Sequence, residues 1–159
     1  MLGVHMAETV SSTETSTDFE LADWQAGALA GVVAGVAMGV MLTTQMTPVI
    51  ENAIPAMYGL SGGLAGWMIH VSHGAVLGVA FAAVLGAVGA GEWSTAKLAG
   101  VGLAFGVALW VVLAVLVMPV WLQTVGFGGA PAVPNVSVKS LVGHAVYGVA
   151  LGGTFAVLN

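Results

Sequence analysis

Apolar residues occur in four long runs along the chain, separated by short segments rich in glycine, proline and polar residues. The runs cover approximately residues 24–47, 64–88, 97–122 and 138–158. Each run reaches the roughly 20 residues that a helix needs to cross a bilayer. The pattern therefore predicts four membrane-spanning helices, the first two of which are joined by a re-entrant or interfacial loop that ends near residue 63.

The first run carries a glycine at every fourth position, and the third run has glycines at two corresponding positions. A four-residue spacing places them on one face of a helix, and a face without side chains lets a second helix approach closely in a bilayer. We predict that six glycines form such helix-packing faces, in the manner of a glycine zipper: Gly27, Gly31, Gly35, Gly39, Gly102 and Gly106. Faces left uncovered would support a homo-oligomer.

The two halves of the chain resemble each other at an offset of 71 residues. At this offset Pro48 corresponds to Pro119 and His73 to His144, and the glycines at 31 and 35 match those at 102 and 106. Each half holds two predicted spans, so both halves have the same orientation, and a pseudo-two-fold axis along the membrane normal is expected. We predict an all-α, integral membrane four-helix bundle made of two tandem hairpin repeats, 23–96 and 97–159.

The composition agrees with a membrane protein in the lipid bilayer of the cell membrane. Charged residues make up 6% of the chain and the mean hydropathy is +1.03, whereas soluble domains carry about 25% charged residues. With two Lys and Arg residues in total, binding to nucleic-acid phosphates is not expected. The absence of cysteine excludes disulfides, thiolate nucleophiles and iron–sulfur clusters.

The N-terminal segment, residues 1–22, is rich in Ser, Thr and acidic residues and sustains no apolar period. This composition predicts a disordered acidic tail, and the missing positive n-region argues against a signal peptide. Four spans place both termini on one side of the membrane. Lys97 and Lys139 fall on opposite sides, so the positive-inside rule gives almost no indication of the orientation. We favour the cytoplasm for the termini.

Aromatic residues flank the predicted spans, as expected of an interfacial belt. One membrane face has Trp24 and Trp93, and the other has Tyr58, Trp67 and Trp121. Trp110 lies near the middle of the third run and is predicted to pack in the core.

Polar residues inside the predicted spans are few, and such residues are commonly functional. His73 and His144 lie in the second and fourth runs, and His70 lies one turn nearer the same membrane face. Five other polar residues are expected at similar depth: Thr43, Thr44, Gln45, Glu51 and Ser140. We predict that these residues line one polar pocket at one end of the bundle, where His73 and His144 face each other.

Three hypotheses compete for this pocket. In the first, the chain is a non-enzymatic membrane subunit, of a homo-oligomer or a larger membrane complex, and each imidazole fixes helix register through a hydrogen bond worth about 0.6 kcal/mol. In the second, His73 and His144 are the two axial ligands of a b-haem in an electron-transfer subunit. In the third, His70, His73 and His144 form a metal or proton site of a small transporter or channel. The spans contain no nucleophile–base pair or carboxylate dyad, so catalysis is not expected.

Methionines raise the further question of Cu(I) binding. Six of them fall in or near the predicted spans: Met38, Met41, Met46, Met57, Met68 and Met118. Methionine is more often a filler of irregular apolar packing than a ligand, so packing is the prediction.

Two segments, 66–73 (GWMIHVSH) and 140–148 (SLVGHAVYG), resemble those of small four-span membrane proteins from halophilic archaea. The resemblance covers nearly everything after the tail. It implies a membrane location and a haloarchaeal source, and it implies no established activity. Proteins of this group are often labelled histidine kinases, but this chain shows neither the Asn box nor the Gly box of a kinase ATP-binding domain.

Overall fold

The computed structural model describes residues 21–159, and within them the chain is helical and contains no strand. Four helices in this part of the chain are long and apolar enough to cross a membrane: α1 (Asp23–Gln45), α2 (Gly63–Ala87), α3 (Thr95–Thr124) and α4 (Val138–Leu158). The prediction of an all-α chain with four such helices is therefore confirmed. The predicted disordered tail, 1–22, lies outside the described residues except for Leu21 and Ala22.

The helix ends follow local backbone chemistry. Ser137 caps α4 because its side chain accepts a hydrogen bond from the backbone N–H of Ser140, which satisfies one of the free donors of the first turn. Gly89 ends α2 with a φ of 67°, a left-handed conformation that glycine adopts without strain. The N–H of Ala90 then bonds to the carbonyl of Leu85 at 3.0 Å, as in the Schellman motif that commonly ends helices.

The segment between α1 and α2, hereafter the connector (residues 46–62), folds back onto the helices. It contains a π-helical turn at Val49–Ala53 and a short α-helical turn at Ile54–Ala56. Ile50 is 1% exposed, and its carbonyl lies so close to Gly66 of α2 that any side chain at Gly66 would overlap it. The connector is thus a packed part of the structure.

Close backbone contacts join α1 to α2, α1 to α4, and α3 to α4. Between α1 and α2, a side chain at Gly31 would overlap the carbonyl of Gly74, and between α3 and α4 one at Gly102 would overlap that of Gly148. The spaced glycines therefore lie where two backbones meet. Gly39 differs from the others, because a Cβ there would lie 2.5 Å from the ring of Trp67.

The contacts between helices indicate a different register for the second half from that predicted at an offset of 71. Gly35 lies against the backbone of His70 and Val71, and Gly106 lies against the carbonyl of His144. In a repeat that follows these contacts, His144 would correspond to His70 rather than to His73, and α4 would be offset from α2 by 74 residues. Four further pairs agree with this register: Gly74 with Gly148, Leu77 with Leu151, Gly78 with Gly152, and Phe81 with Phe155. The internal repeat stays a prediction, with this pairing of its second helices.

The contact between α2 and α3 is much looser than the contact between α1 and α4. The face of α1 that follows Ala30 and Ala34, both 0% exposed, continues to Met38, which contacts Gly143 of α4. Small residues along this face let α1 and α4 approach. At the corresponding positions α3 has Val101 and Phe105, and Phe105 meets Phe81 of α2 with ring centroids 5.3 Å apart. These larger side chains keep α2 and α3 apart.

Candidate functional site

A cavity of about 180 Å³ lies between the four long helices and the connector. Its polar lining consists of three histidines, a serine and a tyrosine: His70, His73, Ser140, His144 and Tyr147. Its other lining residues are mainly aliphatic, with four methionines and Trp121 among them. The structure therefore brings together the three histidines and Ser140 that the sequence placed in one pocket.

His70 is held by α1. Its Nε2 lies 3.1 Å from the backbone carbonyl oxygen of Gly35, and the bare face of α1 at Gly35 gives the ring room to reach that oxygen. A carbonyl oxygen only accepts hydrogen bonds, so Nε2 carries the proton and donates it. The lone pair of the neutral ring is then on Nδ1.

His144 is oriented by its own helix. Its Nδ1 lies 2.8 Å from the carbonyl oxygen of Ser140, one turn earlier in α4. By the same reasoning Nδ1 donates, and the lone pair is on Nε2. A ring nitrogen that donates to a backbone carbonyl fixes both the tautomer and the direction of the opposite nitrogen, as in many metal-binding histidines.

His73 is bound to the connector, which the sequence did not predict. Its Nε2 lies 2.6 Å from the hydroxyl oxygen of Tyr58, and the ring of Tyr58 also packs against Trp121 of α3 at a centroid distance of 5.6 Å. The indole N–H of Trp121 donates to the carbonyl of Met57 at 3.0 Å. Met57 and Tyr58 thus bridge α2 and α3 beside the cavity.

Tyr147 is a second site residue that sequence reasoning missed. It is 3% exposed, and its hydroxyl donates to the carbonyl of Gly74 at 2.8 Å. The available signal was its position one turn after His144, on the same face of α4. This hydrogen bond joins the two histidine-bearing helices, because Gly74 directly follows His73.

Four of the predicted pocket residues do not line the cavity. The side chains of Thr43, Thr44, Gln45 and Glu51 are exposed. Thr43 and Thr44 donate to carbonyls of their own helix, those of Gly39 and Val40, and Thr43 also accepts from the indole N–H of Trp67 at 3.1 Å. The carboxylate of Glu51 lies instead beside Gly63, at the start of α2, where the helix dipole favours a negative charge.

The two cofactor hypotheses fit this geometry poorly. Among residues 21–159, no three His, Asp or Glu side chains are arranged to hold a metal ion, and each imidazole points one nitrogen at a different partner. The cavity of about 180 Å³ is also smaller than ordinary ligand pockets, which measure about 300–1,000 Å³. A b-haem needs more room, and the Nε2 of His73 is already bound to Tyr58. The residues present therefore do not fit a haem.

The wall of the cavity on α3 is unusual in its backbone. A π-helical segment, Trp110–Val117, supplies Leu113, Ala114 and Val117 to the lining. The carbonyl of Val115 accepts a hydrogen bond at 3.0 Å from the N–H of Asn135 in the loop before α4. Trp110, predicted to pack in the core, begins this segment, and its Nε1 is buried without a hydrogen-bond partner.

In comparisons with known proteins, no family model matches this chain, and no similar curated protein or solved structure was found. A function for the chain therefore has to be argued from the four helices and from the cavity between them.

Proposed function

We propose that this chain is a non-enzymatic, multi-pass membrane protein that binds a small ligand in the His-lined cavity. Polar side chains are expensive inside a bilayer, so those present there commonly serve a function. Four helices long and apolar enough to span a membrane surround the cavity. In this proposal they form a bundle, which the predicted tandem repeats would build.

The observation that carries the proposal is the state of the three imidazoles. Each uses one nitrogen for a hydrogen bond, and the second nitrogen has no partner within the described residues. Across residues 21–159, only Trp110 has a side-chain nitrogen or oxygen that is both fully buried and unpartnered. The second nitrogens of His70, His73 and His144 are therefore not fully buried, and in this proposal they contact the ligand. A purely structural role would require only the hydrogen bond that each imidazole already makes and would not involve its second nitrogen.

The surroundings in this proposal are those that the sequence predicted: a cell membrane, with both termini on the cytoplasmic side. Exposed valines along the helices support contact with lipid or with further protein. Val76 of α2 and Val157 of α4 are 67% and 80% exposed. Such faces suit either a homo-oligomer or a larger membrane complex, and a haloarchaeal origin remains part of the proposal.

A small transporter or channel is the second candidate, and the backbone of α3 favours it. Single π-helical segments inside α-helices often occur at functional sites, and here the segment Trp110–Val117 forms one wall of the cavity. A transporter would move its ligand across liposome membranes, whereas a binding subunit would only retain it. Uptake into proteoliposomes therefore distinguishes the two.

Ligand binding is tested by thermal unfolding of the purified full chain in detergent against a panel of monovalent cations, divalent cations and small neutral solutes. A ligand that binds only the folded state stabilises it by about 2.7 kcal/mol at a concentration of 100 Kd. The cavity-filling variant Ala114→Phe is expected to abolish that shift. Ala104→Phe, at an exposed position of the same helix, is the matched control and should retain it.

Two outcomes would overturn ligand binding at this site. One is a panel in which no compound stabilises the wild-type protein. The other is a stabilising compound whose effect survives Ala114→Phe unchanged, because that ligand would bind elsewhere.

A further inference from the structure

Methionines are concentrated around the cavity. Of the six methionines among residues 21–159, four line it: Met38, Met46, Met57 and Met118. They come from α1, the connector and α3, so three separate segments each bring a thioether to the same space. Methionine suits irregular apolar packing, but here the same cavity receives a thioether from each of three segments.

Three of these methionines lie at the connector end of the cavity. Met118 is one helical turn before Trp121, whose indole N–H donates to the carbonyl of Met57 at 3.0 Å. Met46 is the residue that caps the C-terminus of α1, three residues before the π-helical turn of the connector. We define Met46, Met57 and Met118 as the methionine cluster.

The fourth methionine, Met38, lies near one of the cavity histidines. The sulfur of Met38 lies 4.0 Å from the position that a Cβ would take at Gly143, the neighbour of His144. The Nε2 of His144 holds a lone pair, because its Nδ1 donates to the Ser140 carbonyl. Thioether sulfur and an oriented imidazole nitrogen are thus present in one cavity.

The charge of the lining selects among metal ions. Among residues 21–159, no carboxylate and no Lys or Arg side chain lines the cavity, so every donor that these residues supply is neutral. A buried divalent cation without an anionic ligand is strongly disfavoured, which agrees with the poor fit of a three-histidine zinc-type site. Soft thioether ligands select Cu(I), and a monovalent ion leaves a single positive charge to be buried.

We propose that the cavity binds a soft monovalent metal ion of the Cu(I) class through the methionine cluster, with Met38 and His144 as further donors deeper in the cavity. The inference rests on the proposed function, since it names the ligand class of the same cavity. It also changes the interpretation of the cavity methionines from packing residues to ligands.

The test is an anaerobic titration of the purified full chain with Cu(I) in competition with a chromophoric Cu(I) chelator. The wild-type protein should take Cu(I) from the chelator. The triple variant Met46→Leu, Met57→Leu, Met118→Leu keeps the apolar volume nearly constant but removes the sulfur. Its Cu(I) affinity should fall at least about ten-fold, the lower end of the loss seen when supporting groups of metal sites are removed.

The control removes sulfur outside the cavity. In Met41→Leu, Met68→Leu neither changed residue lines the cavity, and Met68 is 65% exposed. This variant should keep the wild-type affinity. X-ray absorption at the copper edge gives a second readout, in which the wild-type complex should show sulfur neighbours that the triple variant lacks.

Each other result overturns the inference. The inference fails if the wild-type protein takes no Cu(I) from the chelator. It also fails if the triple variant binds Cu(I) as tightly as the wild type. A different result is that another compound of the thermal panel stabilises the wild type but not Ala114→Phe, while Cu(I) does not bind. In that case the ligand-binding function stands and only the metal assignment fails.

Discussion

Replacing Gly148 with alanine should separate α3 from α4, whereas the same replacement at Gly153 on the same helix should be harmless. Gly148 lies where the two backbones meet, directly against the carbonyl of Gly102. Around Gly153, no atom of another helix in the described part of the chain lies within 4 Å of the position that a Cβ would occupy. The two variants therefore differ in one respect, namely whether the added methyl group meets a neighbouring helix.

The size of the effect follows from the distances. A Cβ at position 148 would overlap the carbonyl oxygen of Gly102 and lie 2.8 Å from its carbonyl carbon, whereas ordinary contact begins at 3.4 Å. Because the oxygen is the nearer atom, the helices must part by more than the 0.6 Å that the carbon alone would require. A gap of about 0.5–1 Å forfeits a quarter to a half of the dispersion energy of each contact. Overpacking costs about 1–3 kcal/mol and alanine regains about 0.5–1 kcal/mol of helix propensity, so the middle parts of the two ranges leave a net loss of about 1–2 kcal/mol.

The assay is equilibrium unfolding in mixed micelles, with the fraction of SDS raised against a non-ionic detergent and helix content followed by far-UV circular dichroism. Gly148→Ala should lower the free energy of unfolding by about 1–2 kcal/mol. Gly153→Ala should leave it unchanged or raise it by up to about 1 kcal/mol. Equal effects of the two substitutions, or stabilisation by Gly148→Ala, would refute the close approach of α3 and α4 at this position.

Three further predictions use the same unfolding assay. Tyr147→Phe removes the hydroxyl that bonds to the Gly74 carbonyl and should cost about 0.6–1.5 kcal/mol; no loss would mean that this bond does not hold α2 and α4 together. Gly89→Ala forces a side chain into a left-handed conformation and should cost about 1–2 kcal/mol, whereas Gly91→Ala, in open space, should not; matching losses at both sites would contradict the cap. Ser137→Ala removes the cap of α4 and should cost about 1 kcal/mol, and an unchanged free energy of unfolding would show that the cap contributes nothing.

The helices were predictable from the sequence because each element leaves a local signal. A bilayer-length apolar run, a proline after α1 and a glycine after α2 fix length and ends without knowledge of the neighbours. The observed bounds agree with the predicted ones to within a few residues. The same reasoning predicted that His70, His73, His144 and Ser140 share one end of the structure.

The register between the halves was not predictable in the same way. Glycine- and alanine-rich segments match each other at several offsets, and the sequence alone gave preference to His73 and His144. Only the contacts across the helices show that Gly106 meets His144 as Gly35 meets His70. The path of the connector was equally hidden, since nothing local indicates that Tyr58 folds back to reach His73.

Thr43 and Thr44 show a third limit of sequence reasoning. Both lie near the end of α1, at the depth expected for the pocket, but each hydroxyl donates a hydrogen bond to a carbonyl of its own helix, as threonines within helices commonly do. Depth along a helix follows from counting residues, whereas the direction of a side chain depends on which faces the neighbouring helices cover.

A difference in side-chain size between α1 and α3 accompanies the looser contact of α2 with α3 next to the cavity. Where α1 meets α4, Ala30 and Ala34 let the two backbones approach, and the contact is closed. At the positions that the predicted repeat makes equivalent, α3 has Val101 and Phe105, and the rings of Phe105 and Phe81 stand 5.3 Å apart. Phe81 and Phe105 lie one helical turn beyond the lining residues Leu77 and Leu109, so the two rings hold α2 and α3 apart at one end of the cavity. The space beside the histidines and methionines therefore lies on the side of α3 where the backbone is π-helical.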